Sequence, residues 1–217
     1  MPDDVGARRR AVVVAGHRGD PDVARRGLAD PHPSVRVVAL GALARCGVLT
    51  TEELSAALAD DSASVRRRAA ELAATRDDVS LLPVFADPDP MVVEAAAWAS
   101  GERNPPEPGA VAALSALAVD AADPLCREAA VAALGAIGDP AGLPAVLHGC
   151  TDRPNVRRRA VLALAPFDGP EVLAALERAR TDRDWQVRQA AEDLLEIVRG
   201  HRGGPAGRAP DDPAARQ

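Results

Sequence analysis

Apolar and polar positions recur along this chain in one arrangement, at intervals of about 30 residues. The segments DPHPSVRVVALGAL from Asp30, DDSASVRRRAAELA from Asp60, DPDPMVVEAAAWAS from Asp87, DPLCREAAVAALG from Asp123, TDRPNVRRRAVLAL from Thr151 and TDRDWQVRQAAEDLL from Thr181 are variants of one motif. ARRRAVVVAG, from Ala7, reads as the second half of a truncated copy. Aligned, they give an Arg column of Arg8, Arg36, Arg66, Arg127, Arg157 and Arg188, broken only by Val93. One position earlier stand Val35, Val65, Val92, Cys126, Val156 and Val187. Three positions after the Arg come Ala39, Ala69, Ala96, Ala130, Ala160 and Ala191, and seven after it Leu43, Ala73, Ser100, Leu134, Leu164 and Leu195. Apolar residues at i, i+4, i+7 and i+8 mark one face of an α-helix. The unvarying Ala predicts a close helix crossing, where a larger side chain would hold two backbones apart.

A second amphipathic stretch precedes each of these helices: Pro21–Ala29, Thr51–Ala59, Val79–Ala86, Gly109–Val119, Ala141–Cys150 and Pro170–Ala179. Asp and Pro cluster between the two, as in Asp30-Pro31-His32-Pro33, where Asp or Ser can cap the next helix and Pro fits its first turn. Gly47 and Gly138 close helices. The unit is helix–turn–helix, and one pair alone cannot bury its apolar face, whereas stacked pairs can. The expected fold is therefore all-α: a right-handed α-solenoid of about six helix pairs after an N-terminal half-repeat, with second helices on the concave side. Three regions are expected: an extension over 1–6, the repeat domain over 7–199 and a disordered tail over 200–217 rich in Gly, Pro and charge. In the last helix, Gln189, Glu192, Asp193 and Glu196 suit a polar C-terminal cap.

Composition narrows the function more than the fold. With two Phe, two Trp and no Tyr, the core has to be Ala, Val and Leu, small residues that pack helices closely. The charge is −6, from 32 acidic and 26 basic residues, and every basic residue is Arg. That balance argues against a general nucleic-acid binder. Cys46, Cys126 and Cys150 have no C-x-x-C spacing and read as small buried residues in a reducing compartment. His17, His32, His148 and His201 fall in separate repeats or the tail, so no metal site is expected, and no cofactor motif occurs. Without an apolar h-region at the N-terminus or a spanning apolar run, the expectation is a cytoplasmic, monomeric protein without membrane contact.

The motif D-x-x-x-x-V-R-x-x-A-x-x-A/L-L resembles the short bacterial HEAT-like repeat, also found in phycobilisome-type bilin lyases, over roughly Ala7 to Arg199. The armadillo-like resemblance implies a helical repeat scaffold for protein–protein interaction. It also implies a ladder between turn Asp and helix Arg of neighbouring repeats: Asp30, Asp60 and Asp182 with Arg36, Arg66, Arg127, Arg157 and Arg188, and Val93 as a break.

The register names the residues directed to solvent on the second helices. One after the ladder position are Arg9, Val37, Arg67, Glu94, Glu128, Arg158 and Gln189; five after it are Gly41, Glu71, Trp98, Ala132, Leu162 and Asp193. Arg67, Arg68, Glu71, Glu94, Trp98, Glu128, Arg158 and Arg159 are the candidate partner-binding residues. The Arg can serve as bidentate donors to a ligand, or simply as a solvated face. Trp98 is either an interface anchor or a side chain leaning onto a neighbouring helix beside Gly101; Trp185 is expected to pack as a cap. A mixed-charge groove suits a protein or peptide better than a phosphate backbone. The leading expectation is a non-enzymatic scaffold or adaptor. One alternative is a HEAT-like alkylpurine DNA glycosylase, a family that lines the same groove with Trp, an acidic residue and Arg, here Trp98, Glu102 and the Arg triplets. The other is a bilin lyase or chaperone-like relative. The Gly101–Gly109 segment GERNPPEPG is the longest interruption, a hinge, a contact loop or a connector.

Overall fold

The computed structural model describes residues 4–202, and these are all-helical: twelve α-helices and three short 3₁₀ turns, with no strand among the described residues. The half-repeat is α1 (Val5–Arg18). The pairs follow as α2 (Pro21–Gly27) with α3 (Pro33–Cys46), and α4 (Thr51–Leu58) with α5 (Ala63–Leu72). After α6 (Pro90–Gly101) come α7 (Ala110–Asp120) with α8 (Pro124–Ile137), and α9 (Leu143–Gly149) with α10 (Pro154–Ala163). The last pair is α11 (Pro170–Ala179) with α12 (Trp185–Arg202). Residues 1–3 and 203–217, which hold part of the expected extension and most of the expected tail, lie outside the described residues. Helix α12 itself runs three residues past the expected repeat boundary at 199.

The second helices pack in an unbroken row, α1 on α3 and then α5, α6, α8, α10 and α12, and each after α1 is also covered by the first element of its own unit. The reason lies in the columns. All six Ala of the third-after-Arg position are fully buried, and the Val and Leu columns are buried with them. Opposite this Ala, the first helices also carry minimal side chains: a Cβ on Gly27 would lie 3.0 Å from that of Ala39, and one on Gly149 3.1 Å from that of Ala160. Between successive second helices, Gly101 and Gly135 meet Ala133 and Ala163 so closely that an added Cβ would stand 3.0 and 2.7 Å from the facing Cα. Small residues thus set the spacing of the stack, and close packing at that spacing fills a core that has almost no aromatic residues. The core forms two buried clusters, Val12 to Ala99 and Ala97 to Leu195, and the half-buried Phe85 touches both.

The third unit differs from expectation. Over Val79–Ala86 an amphipathic helix was expected; the chain forms only a 3₁₀ turn, Leu82–Ala86. Pro83 removes an N–H at its start, and Pro88 holds Asp87 extended immediately after it. Too few residues remain for two α-turns.

Ion pairs clamp the turns of neighbouring units together, except across Val93. Arg127 donates Nε and Nη2 to both oxygens of Asp152, at 2.6 and 2.9 Å, while its Nη1 bonds the carbonyls of Ala121 and Ala122 in its own turn. The same bidentate grip joins Arg8 to Asp30, Arg36 to Asp60, Arg66 to Asp87 and Arg157 to Asp182. Asp87 and Asp152 therefore belong to the ladder beside the three Asp named from the sequence. Arg188, at the end, bonds only the carbonyls of Asp182 and Arg183 and has no carboxylate partner among the described residues. Each Asp also accepts a backbone N–H that starts the following helix, such as Ser62 N at 2.8 Å for Asp60 and Asp184 N at 2.8 Å for Asp182. Hydrogen bonds from the Arg hold the carboxyls of Asp30, Asp87, Asp152 and Asp182 below their ordinary range. For Asp60, burial works the other way, and Arg36 with the Ser62 N–H outweighs it.

Where Val93 breaks the ladder, the GERNPPEPG segment supplies a different clamp. Arg103, with its side chain only 5 % exposed, donates to the carbonyls of Ala73 and Val79 and to Glu107 Oε2. Glu107 in turn accepts from the Ser80 hydroxyl and from Leu81 N at 3.0 Å. Burial lowers the Arg103 pKa, and Glu107 opposes that. Through the buried Arg103, this otherwise largely exposed segment fastens onto the second and third units.

Candidate functional site

Helix α6 begins where Asp89 accepts from Met91 N, with Pro90 in the first turn, and ends at the Gly101–Ala133 approach. Its core face is fixed by Val92, Ala96, Ala99 and Ser100, all buried. The opposite face therefore turns Glu94 and Trp98 outward. Trp98 is 47 % exposed, and the space beside Gly101 is occupied by the backbone of Ala133 rather than by the indole. Of the thirteen positions that the register directs to solvent, none is buried.

Helices α6, α8 and α10 form a hollow of about 260 Å³ on this face. Its walls are Glu94, Trp98 and Glu102 from the α6 end and Glu128 and Arg159 from α8 and α10. Its floor is Gly101 with Leu125, Ala129, Ala132, Ala133 and Ala136. The hollow exists because α8 shows methyl groups where α6 shows an indole. A more open depression of about 430 Å³ lies on the other side of Trp98, lined by Arg68, Glu71, Glu94 and Ala95. Trp98 and Glu94 are common to both.

Six of the eight candidate residues are thus brought together: Arg68, Glu71, Glu94, Trp98, Glu128 and Arg159. Arg67 and Arg158 line neither hollow. Arg67 lies 3.7 Å from Glu71, and Arg158 donates to Gln186 at 3.0 Å, in the next unit. The other Arg are engaged as well. Arg68 bonds Glu71 at 2.8 Å, and Arg159 lies 3.7 Å from Glu128, which also accepts from Asn155 at 2.8 Å. Glu94, by contrast, has no ion pair or side-chain hydrogen bond among the described residues. Glu102, named from the sequence only for the glycosylase alternative, joins the hollow, and the apolar floor was not among the candidates. Ala132 stood on the exposed row, but only the register of α6 against α8 shows that its small size opens a hollow.

Trp185 is 64 % exposed and does not pack as a cap, because the core position of its turn is taken by Val187. Asp184 caps α12 by accepting from Gln186 N at 2.9 Å. Among the cysteines only Cys126 is fully buried; Cys46 and Cys150 are half-buried, and burial pushes the Cys150 thiol up to about 11. No group of His, Cys, Asp and Glu among the described residues could hold a metal ion, and none of their helices is long and apolar enough to cross a membrane.

The fold and this outward groove define the chain as an α-solenoid repeat protein. A family model of HEAT repeats matches residues 51–135, 79–155 and 121–196, more than half of the chain, and the protein belongs to the HEAT repeat family. No curated protein sequence matches it. Among solved structures it is similar to the Escherichia coli protein YibA, at 17 % identity and a TM-score of 0.62, over 93 % of this chain and 77 % of that one. It is also similar to a designed armadillo repeat protein in complex with a (KR)4 peptide, at 19 % identity and a TM-score of 0.61, over 81 % of this chain and 98 % of that one. At such identities the likeness establishes the fold.

Proposed function

We propose that this protein is a non-enzymatic scaffold that binds a protein or peptide along the outward face of its second helices, centred on Trp98. The observation that carries the reading is an indole left 47 % exposed between two hollows, in a chain with only two Trp. An exposed Trp beside a methyl-lined floor and a charged rim has the make-up of an interface anchor. The designed armadillo protein of similar fold holds a peptide, which agrees with this use of the architecture.

The test is a photo-crosslinking amino acid placed at Ala132, on the groove floor, or at the exposed Ala174 on α11. A defined partner should crosslink from Ala132 alone, and Trp98→Ala should abolish the adduct while leaving helicity intact. Equal crosslinking from Ala174, or a Trp98→Ala adduct of undiminished yield, refutes the groove.

One observation favours a second reading, the alkylpurine DNA glycosylase. Trp98, Glu102 and Arg159 line the same hollow, as that family's groove residues would. Against it, Glu94 and Glu128 share the hollow and would repel a phosphate backbone. Release of a methylated base from duplex DNA, lost in Trp98→Ala, would establish the enzyme; the scaffold reading predicts none.

A further inference from the structure

We infer that the α6–α8–α10 hollow is a socket for an arginine side chain of the bound partner, an inference that rests on the scaffold reading above and assigns its ligand class. Three features set the occupant. The first is size: at about 260 Å³ the hollow falls below the roughly 300–1,000 Å³ of sites that enclose a whole small molecule. It takes one side chain of a larger partner. The second is charge. Glu94, Glu102 and Glu128 line it against a single cation, Arg159, which already faces Glu128 at 3.7 Å. Glu94 has no ion pair of its own among the described residues. A phosphate or carboxylate ligand would meet uncompensated negative charge, whereas a cation supplies the missing counter-charge.

The third feature is shape. The floor at Ala132 is methyl-only and the wall at Trp98 is a flat aromatic face. A long aliphatic stem lies against the first and a planar cation stacks on the second, while carboxylates on either side accept its N–H groups. Arginine combines these properties; the lysine ammonium is a compact, more strongly hydrated charge that stacks less well. The depression across Trp98 has a different balance, because its Arg68 and Glu71 neutralise each other at 2.8 Å. That leaves the shared Glu94 as its one unmatched charge, whereas the α6–α8–α10 side adds Glu102 and Glu128 against Arg159, so cation selectivity is strongest there.

The test uses fluorescein-labelled glycine–serine peptides with a central Arg-Gly-Arg, Lys-Gly-Lys, Gln-Gly-Gln or Glu-Gly-Glu, titrated with the full chain by fluorescence anisotropy. The Arg peptide should bind at least roughly tenfold tighter than the Gln peptide, with Lys between them and Glu weakest. Glu94→Gln, Glu128→Gln and Trp98→Ala should each weaken the Arg peptide roughly three- to tenfold. Glu192→Gln, which removes an exposed carboxylate on α12, should leave it unchanged and so controls for net charge. Equal binding of the Arg and Gln peptides, preference for Glu, or indifference to Glu94→Gln and Trp98→Ala overturns the socket. Charge-independent peptide binding that still needs Trp98 would overturn only the arginine assignment. Loss of the Ala132 crosslink would remove the scaffold reading as well.

Discussion

Replacing Asp152 by Ala tests whether the ladder holds the stack together or merely decorates it. The side chain accepts two charge-assisted hydrogen bonds from Arg127, at 2.6 and 2.9 Å, and one from Arg153 N at 2.6 Å. Bonds to charged groups contribute about 1.5–3 kcal/mol each where the partner is left without a substitute. Two facts reduce the sum. Arg127 and Asp152 are each 13 % exposed, so water can reach the stranded guanidinium, and Arg127 keeps its Nη1 bonds to Ala121 and Ala122. The expected cost is about 2–3 kcal/mol, and Asp152→Asn, which keeps one acceptor, should cost about half of that. In a chain of this size that lowers Tm by roughly 5–10 °C. Urea denaturation followed by far-UV circular dichroism measures the total. Hydrogen exchange should place the loss at the α8–α10 junction, since repeat arrays need not unfold as one unit. The control is Arg10→Gln, whose contact with Asp4 spans 3.6 Å between side chains 72 and 65 % exposed and should contribute under about 0.5 kcal/mol. If Asp152→Ala costs no more than Arg10→Gln, the ladder carries no stability and the reasoning fails.

Acid should loosen the same joints: five ladder Asp have carboxyls held below their ordinary range, so their contribution is complete at neutral pH and is lost below about pH 4 as they protonate. A pH series of urea midpoints should show this fall and a shallower one in Asp152→Asn; identical slopes would count against the pairing. Gly135→Ala should destabilise by about 1–2 kcal/mol, because its Cβ would stand 2.6–2.7 Å from Ala163 and overpacking outweighs the gain in helix propensity of about 1 kcal/mol. Gly41→Ala, with nothing nearer than Arg68 Nη2 at 3.4 Å, should instead stabilise by about 0.4–1 kcal/mol, and the opposite order of the two midpoints would contradict the spacing argument. Ser100 is buried with no partner for its hydroxyl, so Ser100→Ala should raise the thermal midpoint, by about 1 kcal/mol in stability; a drop would mean the hydroxyl has a partner.

The sequence by itself determined the repeat, its register and its inner face. The Val, Ala and Leu columns are legible because helical period and burial impose the same residue types at each turn, and every one of the six Ala is fully buried. The rows opposite them were legible for the same reason, and so was the exposure of Trp98. Only the tertiary structure decided what lies between helices. Asp87 stands in the same motif column as Asp30, Asp60 and Asp182, and Asp152 one position off it, but that both receive a bidentate Arg from about a repeat earlier is set by the stacking of neighbouring turns. The 3₁₀ turn of the third unit follows from Pro83 and Pro88 in its own segment, whereas the burial of Arg103 beside Glu107, in a segment that reads as a hinge, a contact loop or a connector, depends on the Ala73 and Val79 carbonyls left over by neighbouring units. The hollow has the same origin: Ala132 and Trp98 lie 34 residues apart, and their difference in size becomes a cavity only when α6 and α8 pack side by side at the distance set by Gly101 and Ala133.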